Sequence, residues 1–345
     1  MSPITGSTVV VTGAAGNLGR RVTASLAARP TVERVLAVDM VPMPATAPEV
    51  EAHAFDLSAP GAQDELAALA KRADVLVHLA WDPEGKQNLR ALEHVLEAAE
   101  AIEPAQLVHL SSGTVYGAWP DNAVPLTEEL TPRPNAELAY AVEKRAAEEL
   151  VEKWSRAHPD IAMALLRPAC TVGSTEQPLY QALATTTRPP LGAEGRIVQY
   201  LHVNDLASAV VHACEKGLSG IYNVAPDNGV REEVAGALAG GSASLPLSAP
   251  VRAALAELRW RLWRRAAPPG AGPYAEHTWV IAGDKLRATG WRPEYSSEQA
   301  LVVSDERAHW DELPPNRRVS AALAAGAATM LAAGAGGAMW WRHRR

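Results

Sequence analysis

The sequence predicts an α/β fold: a doubly wound parallel sheet with a smaller C-terminal lobe interleaved with its last elements. Three observations carry this reading. Short apolar runs alternate with helical patterns of ten or more residues through the first half of the chain, as right-handed βαβ units require. The first run ends in a glycine-rich turn that opens a helix, and the second ends on an acidic residue, Asp39. With 345 residues, 48% hydrophobic and 21% charged, the chain is long and apolar enough to bury a large core.

The elements follow in order. Thr8–Thr12 is a β-branched strand, and Arg20–Arg29 reads as a helix stopped by Pro30. Arg34–Asp39 is a second strand and His53–Asp56 a short third. Gln63–Arg72 is helical, Asp74–Leu79 a buried strand, and Lys86–Ile102 a long amphipathic helix that stops near Pro104. Gln106–Leu110 is the next strand, followed by a helix over Glu137–His158 and a strand over Ile161–Leu166. Beyond Pro168 the regularity weakens, and Pro and Gly rise around 178–195 and 240–273. The chain therefore divides into a nucleotide-binding core over 1–168, remaining core elements with a substrate lobe over 169–315, and an Ala/Gly-rich tail over 316–345.

A net charge of -7 opposes binding to a phosphate backbone, so no nucleic-acid partner is expected. Cys170 and Cys214 form no metal-ligand spacing and read as small buried hydrophobes; no metal is expected. The N-terminus shows no basic n-region and no cleavable apolar stretch, which makes the cytoplasm the expected compartment.

The turn after the first strand is Gly13-Ala14-Ala15-Gly16-Asn17-Leu18-Gly19. Glycines let backbone amides approach a pyrophosphate, and the helix that follows points unpaired N–H groups at the anion. An ordinary glycine-rich loop looks the same in isolation. The position of Asp39, about 20 residues downstream of the last glycine, adds the carboxylate that accepts hydrogen bonds from ribose hydroxyls. It would repel a 2′-phosphate, and no Arg follows it, so the expected cofactor is NAD and not NADP. Tyr140 and Lys144 lie four residues apart on one helix face, where an ammonium favours the phenolate of a neighbouring tyrosine. Ser112 ends a strand, where its hydroxyl can meet a substrate oxygen.

These segments together resemble the extended short-chain dehydrogenase/reductase superfamily, and within it the NAD-dependent epimerase/dehydratase family. The glycine spacing is GxxGxxG, and Ser111-Ser112-Gly113-Thr114-Val115-Tyr116-Gly117 resembles the family's SSxxVYG strand end. Tyr140-Ala141-Val142-Glu143-Lys144 resembles its YxxxK, and Asn88-Leu89 with Val95–Ala99 its NVxGTxNVLEAA helix. Arg167-Pro168-Ala169, His202–Ala207, Tyr222–Ala225 and Gly290–Pro293 match later segments in the same order. The resemblance implies a Rossmann fold and an enzyme in which Tyr140 takes a proton from a substrate hydroxyl while hydride leaves the same carbon for NAD. Lys144 would also bond the nicotinamide ribose, and Ser112 would polarise the nascent carbonyl. Gly13, Gly16, Asn17, Leu18, Gly19, Asp39, Asp56, Leu57, Leu79, Ala80 and Pro168 would join Tyr140 and Lys144 around the cofactor, with Asn88 and Thr114 toward the substrate. His202 and Asp205 are expected to be structural.

The pattern also departs from the family. Gly113 and Thr114 stand where sugar dehydratases place an Asp-Glu pair, so water elimination is disfavoured. Pro268–His277 holds no Arg-rich diphosphate clamp, and the loop from Ala80 to Asn88 is short. The expected function is an NAD-dependent epimerase or oxidoreductase acting on a secondary alcohol of a small-molecule substrate, a nucleotide-sugar first. A hydroxysteroid-type alcohol/ketone dehydrogenase is the alternative within the superfamily, and a non-catalytic dinucleotide-binding sensor or scaffold the alternative outside it. A homodimer is a further possibility. Arg252, Arg259, Arg261, Arg264 and Arg265 cluster with Trp260 and Trp263 as a phosphate clamp, a membrane-surface helix or a solvated face. Val319–Trp341 is nearly uncharged, flanked by arginines and ended by Trp340 and Trp341, a composition that suits a membrane anchor with the catalytic domain facing the cytoplasm.

Overall fold

The computed structural model describes residues 6–82, 87–173, 195–238 and 269–308. Seven strands form one sheet: β1 (Ser7–Thr12), β2 (Val32–Asp39), β3 (Val50–Ala54), β4 (Val75–His78), β5 (Gln106–Leu110), β6 (Ala162–Pro168) and β10 (Gly220–Val224), in the spatial order β3-β2-β1-β4-β5-β6-β10. Every pairing within it is parallel. The strand runs are continuously apolar because both faces are covered. Val9, Val11, Val35, Ala37, Val75 and Val77 face one core, which contains Val22 and Leu26 of α1 (Asn17–Ala27) and Leu206 and Val210 of α5 (Val203–Lys216). Val10, Leu36, Val38, Leu76 and Leu107 face the other, against α2 (Ala62–Leu69), α3 (Asn88–Ile102) and α4 (Ala139–Ala157).

The chain runs outward from β1 to β3, then returns to lay β4 on the other side of β1. The carboxyl ends of β1 and β4 are therefore a topological switch point, where the connecting loops diverge and leave a crevice. This places the glycine turn beside Leu79 and Ala80.

Several boundaries differ from the sequence expectation. The helix α1 starts at Asn17 and not Arg20, because Gly16 serves as its N-cap with no side-chain capping bond to mark it. The edge strand β3 starts at Val50 and not His53, since its register pairs Val50 with Val35. Beyond Pro168 come β7 (Thr171–Val172), β8 (Ile197–Val198) and β9 (Leu201–His202); α5 then carries the chain back to β10, and β11 (Val230–Arg231) follows, with β7 paired to β9 and β8 to β11 in two small sheets. A minor core around Tyr200, Val230, Ala300 and Leu301 joins these to α6 (Glu232–Leu238) and α9 (Ser297–Ala308). His202 caps α5 by accepting the Asn204 N–H at 3.3 Å, and its ring lies 4.2 Å from that of Tyr295. Asp205 accepts the Glu294 and Tyr295 amides at 2.8 and 3.1 Å. Both residues hold the C-terminal segment to α5.

Among the described residues, no helix is long and apolar enough to cross a membrane. The tail 319–341 and the arginine-tryptophan cluster of 252–265 lie outside the described residues.

Candidate active site

A cleft opens at the switch point. It is lined by Gly13, Gly16, Asn17, Leu18 and Gly19 of the glycine turn, by Leu79, Ser112, Thr114, Tyr140 and Pro168, and by Trp81, Ala169, Cys170, Thr171 and Trp279.

The glycine turn is shaped by contacts that no side chain tolerates. Gly13 has φ +73°, and a Cβ there would lie 2.5 Å from the Ala80 nitrogen. A Cβ on Gly19 would lie 2.0 Å from the Gly13 carbonyl oxygen. These approaches seat the start of α1 on the turn. Gly16 caps that helix with no side-chain hydrogen bond and its first turn holds no acidic residue, so its positive end faces the cleft. A dinucleotide's pyrophosphate fits this arrangement. Asp39 sits at the end of β2, where one carboxylate oxygen accepts the Ala15 N–H at 2.9 Å and the other the Val41 N–H at 3.0 Å.

Other residues of the expected set stand away from the cleft lining. Asp56 accepts hydrogen bonds from the backbone N–H and hydroxyl of Ser58, both at 2.8 Å. Leu57 is buried in the core, and its carbonyl lies 2.7 Å from Nδ1 of His94. Ala80 packs partly buried against the same core, next to the turn. Asn88 is buried at the start of α3, where its side-chain amide accepts the Asp82 N–H at 2.8 Å and donates to the Asp82 carbonyl at 2.7 Å. It pins the loop that leaves β4.

The far side of the cleft is built from β5, the 3-10 turn Gly113–Tyr116 and α4. The Ser112 hydroxyl accepts from the Thr114 N–H at 3.2 Å and the Thr114 hydroxyl at 2.9 Å, which orients both side chains. Tyr274 donates its hydroxyl to the Thr114 carbonyl at 2.7 Å and fixes the turn from the C-terminal lobe. Tyr140, Lys144 and Glu148 follow at successive turns along one face of α4. Tyr140 borders the cleft, while Lys144 is buried behind it, with Nζ donating to the Leu110 carbonyl at 2.9 Å and lying 3.6 Å from the centre of the Trp81 ring. Burial pushes the Lys144 ammonium down to about 7, against the pull of Glu143 and Glu148. His78 and His109 stack nearby at 5.5 Å, and burial, reinforced by the Lys144 charge, lowers His78 to about 3. His78 Nδ1 lies 2.8 Å from the Thr12 hydroxyl, which fixes its ring between β1 and β5.

Glu148 is fully buried and forms a two-pronged ion pair with Arg167 of β6, at 2.9 and 2.8 Å. It also accepts from Ser111 Oγ at 2.5 Å. Arg167 donates to the Tyr116 hydroxyl at 2.9 Å, which donates in turn to Asn223 of β10 at 2.9 Å. The network ties α4 to β5, β6 and β10 directly behind Ser112. Sequence reasoning did not single out Trp81, Glu148 or Trp279. Their placement arises from long-range packing that has no local signal.

Lys144 carries a stability consequence. Its proton is held less tightly folded than unfolded, so between pH 7 and about 10.5 the unfolded chain binds more protons and this group's contribution to stability rises with pH. Below pH 7 the buried charge costs its full amount. Lys144→Met is therefore expected to stabilise the protein at pH 6–7 by about 2–5 kcal/mol in urea titrations, the gain fading toward pH 10. An equal stability difference at pH 6 and pH 10 would contradict this.

Comparison with known proteins agrees with this architecture. A family model described as NAD dependent epimerase/dehydratase family matches residues 9–225, which include the glycine turn, Ser112, Tyr140 and Lys144. An uncharacterized protein of Mycobacterium tuberculosis is 28% identical over 234 residues, covering 64% of this chain and 62% of that protein. The chain thus spans less than two thirds of that relative's length. A GDP-6-deoxy-D-mannose reductase of Pseudomonas aeruginosa is 27% identical over 330 residues, covering 86% of this chain and 95% of the reductase. The fold is shared with the UDP-glucose 4-epimerase of Thermus thermophilus in complex with NAD, at a TM-score of 0.65 and 22% identity over 88% of this chain and 99% of that one. With a model match over most of its length, the chain belongs to the NAD dependent epimerase/dehydratase family.

Proposed function

We propose that the chain is an NAD-dependent oxidoreductase or epimerase that acts on a secondary alcohol of a nucleotide-sugar, with Tyr140 moving the proton. The observation that carries this reading is one cleft joining the glycine cradle at the start of α1 to Ser112, Thr114 and Tyr140. The length of the match to the GDP-6-deoxy-D-mannose reductase supports the sugar-nucleotide class.

NAD, when bound, supplies the hydride acceptor and donor. The chain's own residues bind, orient and move the proton. The backbone of Gly13–Gly19 and the start of α1 would hold the pyrophosphate, and Asp39 a ribose. Tyr140 accepts the proton of the substrate hydroxyl, and the Lys144 ammonium behind it favours the phenolate. The Ser112 hydroxyl, oriented by Thr114, donates to the substrate oxygen. Asn88 acts at one remove, by fixing the loop of Trp81 and Asp82 beside Lys144. A second reading, a dehydrogenase for apolar alcohols, draws on Trp81, Trp279, Val203 and Leu206 along the cleft wall.

Calorimetric titration tests the cofactor half of the proposal. NAD is expected to bind the wild type at least tenfold more tightly than NADP, because Asp39 opposes a 2′-phosphate. Gly19→Ala is expected to weaken NAD binding by two orders of magnitude or more, since its Cβ would drive α1 off the turn. Equal affinity for both nucleotides, or unchanged binding in Gly19→Ala, would contradict the assignment.

A further inference from the structure

Trp81 follows directly on the end of β4 and borders the cleft. It packs against the sheet core on one side and against the cluster of Leu138, Tyr140 and Tyr274 on the other. One face of its indole covers the Lys144 ammonium at 3.6 Å, and the ring meets that of Tyr140 edge-on at 6.4 Å. The indole N–H is buried and has no hydrogen-bond partner among the described residues, so packing and the cation hold the ring. We infer that Trp81 is a positioning residue for the proton transfer at Tyr140, its indole face holding the Lys144 ammonium charged and aligned beside that tyrosine. The inference rests on the reading of Tyr140 and Lys144 under Proposed function.

The effect of the indole is electrostatic. Lys144 has lost nearly all its water, and its backbone acceptor, the Leu110 carbonyl, satisfies one of three N–H bonds. The negative face of an indole is the strongest aromatic partner for a desolvated ammonium. It stabilises the charged form without adding a proton acceptor that would compete with Tyr140. The other titratable groups around Lys144 are Glu143, Glu148 and Tyr140 on its own helix and His78 and His109 on β4 and β5. Glu143 and Glu148 favour the charge, and the histidines stay neutral through burial. Among the described residues outside α4, the Leu110 carbonyl and the Trp81 face thus hold the ammonium against its desolvation.

The test uses the full chain labelled with 13C-lysine, with Lys144→Met assigning the Lys144 signal by NMR. In the wild type, the Lys144 side-chain methylene protons next to Nζ are expected upfield of ordinary lysine, shielded by the indole ring current. Trp81→Leu, which keeps apolar bulk without the π-face, is expected to lower the Lys144 titration midpoint by about one pH unit, a tenfold fall in the ratio of protonated to neutral form. Trp81→Phe is expected to stay within about half a unit of the wild type. Turnover at pH 7 should fall about fivefold in Trp81→Leu and recover largely in Trp81→Phe. An unshifted midpoint in folded Trp81→Leu overturns the inference. Should that variant not fold, an ordinary Lys144 proton shift in the wild type overturns it. If instead Tyr140→Phe turns over like the wild type, the reading of Tyr140 fails while the titration result stands.

Discussion

Tyr140→Phe is expected to lower turnover by about 10²–10⁴-fold while leaving NAD affinity within about threefold of the wild type. The phenol ring is buried against Leu138, Ala141 and Tyr274, and phenylalanine keeps that packing. Only the hydroxyl at the cleft is lost, and with it the group that takes the substrate proton. The glycine cradle and Asp39 are untouched, so binding of the dinucleotide does not depend on this hydroxyl. Steady-state rates beside calorimetric NAD titrations separate the two effects. A variant that lost both would point to a structural role for Tyr140. A variant that lost neither would remove it from the chemistry.

Arg167→Met is expected to destabilise the protein by about 3 kcal/mol, read as a lower urea midpoint at unchanged slope. The substitution leaves the Glu148 carboxylate buried without its two-pronged partner. Ser111 remains on it, and Arg145 approaches its second oxygen at 3.2 Å, which keeps the cost at the low end for a broken buried ion pair. The double variant Arg167→Met/Glu148→Leu is expected to recover much of the loss, because both desolvated charges are then gone. No recovery would mean that shape and not charge sets the cost. Glu148 lies one turn beyond Lys144 on α4, and Ser111 adjoins Ser112, so the single variant is also expected to reduce turnover by loosening the alignment of Tyr140 with Ser112.

The parts of this molecule that sequence made legible share a physical cause. Strands buried on both faces must be apolar throughout, so the runs that became β1, β2, β4 and β5 stood out. A turn that needs glycine at two positions, and a Tyr and Lys four residues apart after a serine strand end, are local patterns. The edge strand β3 was harder to place. Only Val50 of Val-Glu-Ala-His-Ala is buried, so its apolar signal is thin and its start was set by pairing with Val35. The Trp81–Lys144 contact and the Glu148–Arg167 pair had no sequence signal, because each joins segments that meet only when α4 folds onto the sheet. Asn88 illustrates the same limit. Its place at the head of α3 was legible, whereas its hold on Asp82 depends on how the loop after β4 turns back.

In the function we propose, this cleft passes hydride between NAD and a carbon whose hydroxyl proton goes to Tyr140. Its most direct measurement presents the holoenzyme with nucleotide-sugars deuterated at the reacting carbon, beside apolar secondary alcohols labelled in the same way, and follows deuterium by mass spectrometry. Labelled cofactor reports net oxidation, and NMR of the labelled carbon reports epimerisation, in which the deuterium returns to that carbon with inverted configuration. In the wild type, deuterium is expected on the cofactor or on a sugar carbon of inverted configuration, and in Tyr140→Phe on an unchanged sugar. Neither labelled cofactor nor an inverted labelled carbon in the wild type with NAD bound, or equal rates in both proteins, would contradict this.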